Sequence, residues 1–145
     1  MIIDVIGDIH GYADKLVGLL QQLGYVHNGQ YFVPPVGHRA LFIGDLIDRG
    51  SQQVATLELV FAMLDADVAD AVMGNHEYNA LAFATPDPDA TSQYLRSHNE
   101  AHTRQHEAFL TEVPFGSETH QYWLRRLYEI PLWLETDYAC FVHAC

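Results

Sequence analysis

The stretch "LFIGDLIDRGS", residues 41–51, joins a short apolar run directly to two acids and an arginine. The run at residues 41–43 is typical of a buried strand. Asp45, Asp48 and Arg49 follow it, and the glycines on either side of them allow the backbone to bend sharply. A single strand that ends in this way is usually followed by a simple turn, so the prediction of a functional site depends on whether other strands end alike.

Three other predicted strands end in side chains of the same chemistry. Residues 1–7, "MIIDVIG", and residues 68–74, "VADAVMG", each end in glycine, and residues 140–145 read "CFVHAC". The metal-capable residues that follow or end these strands are Asp8, His10, Asn75, His76 and His143. In open α/β sheets, ligands bind beyond the carboxyl ends of the strands. We therefore expect all four clusters to face one crevice.

The order of the elements predicts an α/β fold with a mostly parallel first sheet. Apolar spacing predicts helices over residues 12–23, 52–64 and 75–84, with a hairpin at Asn28-Gly29. A Pro-containing loop at residues 84–92 precedes two helical stretches, about 92–112 and 117–129. We interpret residues 84–129 as a helical insertion in one domain, residues 1–145. A second hairpin should turn at Thr136-Asp137.

The composition limits the classes of partner. The chain has 145 residues and a formal net charge of −12, so duplex DNA and anionic membranes are disfavoured as broad partners. A phosphate-bearing substrate must therefore be held locally, by metal or by a few placed cations. The N-terminus has no basic leader and no apolar run is long enough to span a membrane. These features favour a cytoplasmic protein, in which Cys140 and Cys145 are expected to be inert core thiols.

The clustered side chains suit divalent metal ions. Carboxylates and imidazoles together favour Mn, Fe or Zn, and the cluster holds more ligands than one ion needs. Asp45 could bridge a pair of ions, which would clamp a displacement at phosphorus. Arg49 offers a planar fork for phosphate oxygens. An imidazole at His76, oriented by Asp48, could protonate a leaving oxygen.

The motifs G-D-x-H-G, G-D-x-x-D-R-G and G-N-H-E, followed by a strand that ends in histidine, resemble the calcineurin-like metallophosphoesterases. Within that superfamily the sequence is most similar to the branch of PPP-type Ser/Thr protein phosphatases and symmetrical diadenosine tetraphosphatases, and to its bacterial members in particular. The resemblance implies a four-layer α/β/β/α sandwich and a hydroxide nucleophile that bridges two divalent ions, manganese above all, or iron or zinc.

The resemblance also implies a role for each matching residue. The first metal would be bound by Asp8 and His10, and the second by Asn75 and His143, with Asp45 bridging both. The general acid would be His76, oriented by Asp48, and Arg49 would hold the phosphate.

The family pattern continues with a further histidine, often a second phosphate-binding arginine, and more strands. No histidine follows His143 in this sequence, so the chain resembles the N-terminal portion of such an enzyme and its second sheet should be incomplete. Open sheet edges would favour homo-oligomers. Arg96, Arg104, Arg125 and Arg126 are candidates for the missing arginine, and the sequence selects none of them.

The predicted function is hydrolysis of a phosphomonoester, either a phosphoprotein or a small molecule. Hydrolysis of a dinucleoside polyphosphate, such as diadenosine tetraphosphate, is the alternative. A further alternative is that the chain is a non-catalytic metal-binding fragment. The acidic net charge disfavours long nucleic-acid substrates.

Other polar residues receive weaker predictions. His98, His102 and His106 recur every four residues, which we interpret as a solvated helix face and not as an accessory metal site. His120 and His27 are expected at the surface. Glu77 is expected to structure the loop after His76 and not to bind metal.

Overall fold

The structure, a computed structural model, describes residues 1–144, so Cys145 lies outside the described residues. Its elements, in chain order, are β1 (Ile2–Ile6), α1 (Ala13–Gln22), β2 (Val26–His27), β3 (Phe32–Val33), β4 (His38–Phe42), α2 (Gln53–Asp65), β5 (Ala69–Ala71), α3 (Asn75–Ala84), α4 (Glu100–Glu112), α5 (Glu118–Tyr128), β6 (Trp133–Glu135) and β7 (Cys140–Val142).

The three-stranded sheet is parallel and has the order β1-β4-β5. The last three residues of its central strand, Ala40, Leu41 and Phe42, are fully buried at 0% exposure, and the first two are half-buried. Burial on both faces is what a parallel sheet covered by helices requires, and it explains the unbroken apolar run in the sequence. The α/β class and the parallel sheet are thus confirmed. All three strands direct their carboxyl ends to the same edge, which places the following loops together.

Helix α2 connects two adjacent strands of this sheet and supplies much of the core through Leu57, Val60 and Phe61. The ring of Trp123 on α5 lies 5.8 Å from that of Phe61. The guanidinium of Arg126, also on α5, lies 4.4 Å from the centroid of the same Phe61 ring. Helices α2 and α5 are therefore held together by contacts around the Phe61 ring.

The predicted helix from residue 92 is wrong at its N-terminal end. Helix α4 begins at Glu100, because the side chain of Asn99 accepts a hydrogen bond from the backbone N–H of His102 at 2.8 Å and caps the helix. The preceding residues pack instead, with the His98 ring stacked 3.8 Å from Phe83 and 4.1 Å from Tyr94. His98 is therefore not part of a helical face.

The second hairpin turns where expected. The N–H of Thr136 donates to the carbonyl of Ala139 at 2.8 Å, and β6 pairs antiparallel with β7. Cys140 is exposed, so the prediction of a core thiol is wrong there: this hairpin is not covered by the described residues. Among residues 1–144, no helix combines the length and the apolarity that crossing a membrane requires.

Candidate active site

The loops after β1 and β4 are joined by backbone hydrogen bonds. The N–H groups of Ile9 and His10 both donate to the carbonyl of Asp45, at 3.0 and 2.9 Å, and the N–H of Gly11 donates to Leu46 at 2.8 Å. The two loops therefore form one unit, and the side chains that they carry have fixed relative positions.

Glu77 ties the loop after β4 to the start of α3. Its fully buried carboxylate accepts hydrogen bonds from the N–H groups of Asp45 (2.8 Å), Leu46 (2.7 Å), Ile47 (3.3 Å) and Gly74 (2.9 Å). Burial raises the pKa of Glu77, and these hydrogen bonds oppose that rise. With its oxygens occupied in this way, Glu77 has a structural role, as its sequence context predicts.

Backbone strain is concentrated in the same loops. Positive φ values occur at His10 (49°), Asp45 (53°), Asp48 (69°) and Arg49 (71°). Non-glycine residues adopt this conformation at a cost, and they do so most often where function fixes the geometry. Gly74 is required for a different reason: a Cβ there would overlap the backbone nitrogen and the carboxylate of Asp45.

His10 has a nitrogen that is buried and unpaired. Its Nδ1 is 2.8 Å from the carbonyl oxygen of Ile47, so Nδ1 carries the proton and Nε2 presents a lone pair. That Nε2 has no hydrogen-bond partner among the described residues. It lies 3.6 Å from carboxylate oxygens of both Asp8 and Asp45. Three acceptors converge here without a donor, which is the arrangement that a cation satisfies.

His143 presents a second lone pair on the other side of Asp45. Its Nδ1 lies 2.6 Å from the carbonyl oxygen of Ile43, which leaves Nε2 as an acceptor. Nε2 is 3.1 Å from Oδ1 of Asn75 and 3.4 Å from Oδ2 of Asp45. The same device, a backbone carbonyl that fixes the tautomer of a ligand imidazole, is characteristic of metal sites.

These residues fit a pair of divalent cations. Asp45 belongs to two groups whose ligand atoms all lie within 4.8 Å of one another, one with His10 and His76 and one with Asp8 and His143. A mixed oxygen and nitrogen donor set suits Mn, Fe and Zn. The described structure thus brings together all five residues for which the sequence predicts metal binding: Asp8, His10, Asp45, Asn75 and His143.

His76 has a carboxylate partner of its own. Its Nδ1 lies 2.7 Å from Oδ2 of Asp48, while its Nε2 lies 4.0 Å from Oδ2 of Asp45. The hydrogen bond that His76 donates to Asp48 raises the pKa of His76, against the opposing effect of burial. Proximity to Asp45 would allow metal binding, but a ring that holds a second proton suits an acid better than a ligand.

The structure adds His106 to the site, so the interpretation of this histidine as part of a solvated helix face is wrong. His106 is 5% exposed, and its Nδ1 lies 2.8 Å from Oδ1 of Asp48. His120 is also buried, at 2% exposure, against Phe109 and Phe115. The four-residue spacing of the histidines is identical to that of a solvated face. The local signal that distinguishes His106 is the apolar stripe that follows it at helical spacing, Phe109, Leu110 and Val113.

A cavity of about 540 Å³ adjoins the His76 side of the site. Its lining includes Asp48, Arg49, His76, Arg96, Arg104 and His106. Arg49 also lines a neighbouring cavity with Asp8 and His10, so it lies between the two groups of ligands. Within the described chain, no hydrogen bond or ion pair satisfies the Arg49 guanidinium, which leaves it available for an anion.

A family model for calcineurin-like phosphoesterases matches residues 1–132. The chain belongs to this family.

Relatives of this phosphoesterase include bacterial enzymes named asymmetrical bis(5′-nucleosyl)-tetraphosphatase PrpE. The protein of Geobacillus sp. (strain WCH70) is 42% identical over 76 residues, which are 52% of this chain and 31% of that protein. The protein of Bacillus subtilis (strain 168) is 36% identical over the same shares. The matched region thus spans about a third of the length of these relatives.

Solved structures agree on the fold of the phosphoesterase. A proposed diadenosine tetraphosphatase superposes with a TM-score of 0.59 at 16% identity, over 99% of this chain and 50% of that one. A Ser/Thr protein phosphatase from Saccharomyces cerevisiae superposes with a TM-score of 0.54 at 21% identity, over 90% and 33%. At these identities the likeness supports the fold alone.

The stability of this phosphoesterase should fall in acid through Asp48. Burial alone would raise the pKa of Asp48, but the hydrogen bonds from His106 and His76 outweigh it and lower the pKa below its usual range. A carboxylate with a lowered pKa stabilises the fold above its unfolded pKa, about 3.9, and the contribution is lost as pH falls below that value. Thermal unfolding of metal-free protein should show a smaller loss of stability between about pH 5 and about pH 3 in Asp48→Asn than in the wild type. Equal losses would contradict this assignment.

Proposed function

We propose that this protein hydrolyses a phosphate ester or phosphoanhydride at a centre of two divalent metal ions. The observation that carries the proposal is the position of Asp45, whose carboxylate is shared by two groups of ligand atoms. When bound, two such ions supply a hydroxide nucleophile and neutralise the charge on the phosphoryl group. Manganese, iron and zinc all suit the donor set.

The protein's own residues would perform the remaining tasks. Arg49, exposed and between the two cavities, would hold the phosphoryl oxygens with its planar fork. His76, hydrogen-bonded to Asp48, would deliver a proton from Nε2 to the leaving oxygen. Its raised pKa favours the protonated form that this role needs.

Two observations favour a dinucleoside polyphosphate over a phosphomonoester as the substrate. The relatives matched over half of the chain are named bis(5′-nucleosyl)-tetraphosphatases. The cavity beside His76 also collects Arg49, Arg96 and Arg104 in a chain of net charge −12. A substrate with a single phosphate needs one such cation, whereas several consecutive phosphates would use more.

Arg96 is the strongest candidate for a second phosphate-binding arginine. Its guanidinium donates to neutral amides, those of Asn79 at 3.2 Å and Gln105 at 2.9 Å. Arg104 instead pairs with Glu100, and Arg126 with Asp65. The charge of Arg96 therefore has no carboxylate partner within the described chain.

Arg96→Gln should raise KM for diadenosine tetraphosphate about tenfold, because a charged hydrogen bond contributes about 1.5 kcal/mol or more. Hydrolysis of p-nitrophenyl phosphate should be nearly unchanged, since that substrate has one phosphate. Steady-state kinetics on both substrates would measure the effect, with exposed Arg125→Gln as the matched control. An equal effect on both substrates would argue that Arg96 acts elsewhere.

The function itself is tested by elemental analysis together with hydrolysis of both substrates, with and without added manganese. Two ions per chain with faster turnover of diadenosine tetraphosphate is the expected result. Faster turnover of the monoester would favour a phosphomonoesterase. Tight metal binding without turnover of either would point to a non-catalytic metal-binding unit.

We also propose that residues 1–145 form a single domain with a helical insertion at about 84–129, and that the protein is cytoplasmic. Self-association through an exposed sheet remains a proposal, supported by the exposure of Ile2 (56%) and Val5 (51%) on β1. Sedimentation velocity would measure it directly.

A further inference from the structure

The carboxylate of Asp48 is shared between two imidazoles. Oδ2 lies 2.7 Å from Nδ1 of His76, and Oδ1 lies 2.8 Å from Nδ1 of His106. Asp48 is 3% exposed and His106 is 5% exposed. The residue that orients the proposed general acid is therefore itself held, on its other oxygen, by a residue from α4, 58 positions further along the chain.

The direction of these hydrogen bonds follows from the chemistry. An ionised carboxylate only accepts, so both Nδ1 atoms must donate. The Nε2 of His106 then needs no proton, and it has no partner among the described residues. It lies among aromatic rings, those of Phe83 and Phe109 at 5.4 and 5.0 Å from the His106 ring. Apart from its bond to Asp48, His106 is surrounded largely as a core residue would be.

The charged and titratable groups near His106 are few. Asp48 faces it from the loop after β4, and His76 lies beyond Asp48 on α3. On α5, the pKa of His120 is lowered first by burial and second by the nearby His106. No other carboxylate within residues 1–144 lies within 4.0 Å of a ring nitrogen of His106. Among residues 1–144, Asp48 is therefore the one carboxylate that pairs with His106.

We propose that His106 is a positioning residue for His76, which acts by locking the second oxygen of Asp48. The χ2 torsion of aspartate is broad, so a carboxylate held by one bond can rotate and let the partner imidazole turn. A second donor fixes the carboxylate plane. The His76 ring is then held with Nε2 towards the reacting group. This inference rests on the proposed function in one respect, the role of His76 as the acid.

Two substitutions separate positioning from packing. His106→Phe keeps an aromatic ring beside Phe83 and Phe109 but removes the donor. His106→Asn removes the ring but places an amide N–H₂ near the position of Nδ1. Positioning requires the donor, so His106→Phe should be the more impaired enzyme. A packing role requires the ring, and it reverses this order.

The leaving group provides the readout. Phenolate leaves poorly without a proton, whereas p-nitrophenolate leaves readily. His106→Phe should lower kcat for phenyl phosphate by roughly tenfold to a hundredfold, part of the usual effect of a general acid, and lower kcat for p-nitrophenyl phosphate by less than about threefold. KM and metal content should stay unchanged, and His106→Asn should recover most of the loss. Equal losses on both substrates would overturn the proposal.

Proton NMR tests the arrangement independently of turnover. Imidazole N–H protons bonded to a carboxylate resonate far downfield, so the wild type should show two such signals. Asp48→Asn should remove both. His106→Phe should remove one and shift or broaden the His76 signal; an unmoved His76 signal would overturn the proposal. A shifted His76 signal in a protein that hydrolyses neither substrate would mean that the proposed function, and not the positioning, has failed.

Discussion

Asp45→Asn should abolish turnover and lower the bound metal from two ions per chain to one or none. The substitution keeps the size of the side chain, and its retained oxygen can still accept the hydrogen bond that the His76 N–H gives to Oδ1 at 3.1 Å. What it removes is the negative charge that two groups of ligands share. A neutral amide cannot bridge two cations with comparable strength, so turnover should fall by at least about a thousandfold.

The measurement combines elemental analysis with hydrolysis of p-nitrophenyl phosphate in saturating manganese. Asp89→Asn, in an exposed loop, is the matched control and should bind two ions. Unfolding should be followed as well, because the loop around Asp45 is strained (φ 53°). An Asp45→Asn protein that retains two ions and most of its turnover would exclude the bridging role.

Glu77→Gln should destabilise the fold strongly although it changes one atom. Each carboxylate oxygen of Glu77 accepts from two backbone N–H groups, Oε2 from Asp45 and Gly74 and Oε1 from Leu46 and Ile47. The amide nitrogen of glutamine would turn a donor towards one of these pairs. Two buried N–H groups then lose their acceptor, at about 1–3 kcal/mol each, so the loss should be about 4 kcal/mol.

Urea denaturation of the metal-free protein would measure this loss. Glu58→Gln on the exposed side of α2 is the matched control and should change the free energy of unfolding by less than about 0.5 kcal/mol. If Glu77→Gln unfolds at the wild-type midpoint, the carboxylate is not what holds the loop. Reduced metal affinity is expected as well, because the same loop carries Asp45.

The sequence predicted the parts of this molecule that depend on local patterns. The apolar run at residues 41–43 marked the buried strand, and helices α2 and α3 were predicted to within one residue at each end. The location of the site could also be predicted from local patterns, because the site residues directly follow or end strands. Parallel strands bring their carboxyl ends to one edge, so Asp8, Asp45 and Asn75, which follow β1, β4 and β5, are brought together by topology. His143 instead comes from the separate antiparallel hairpin of β6 and β7.

The parts that failed depend on contacts between distant elements. The bond of His106 to Asp48 and its contact with Phe83 come from elements outside α4, and the residues directly before and after it in the sequence, Gln105 and Glu107, are polar. His98 leaves the predicted helix because Phe83 and Tyr94 stack on its ring. Asp48 and Phe83 both come from other segments, so hydrophobic periodicity contains no signal for these contacts.

The carbonyl groups of Ile43 and Ile47 hold the rings of His143 and His10 respectively, and Asp45 stands midway between them in the chain. One five-residue segment of backbone would thus set the spacing of the two proposed ion positions. Because main-chain atoms in this segment are buried and multiply bonded, that spacing is insensitive to side-chain motion. An ion of larger radius would be accommodated at the periphery, by Asp8, whose side chain is 56% exposed, and not by separation of the pair.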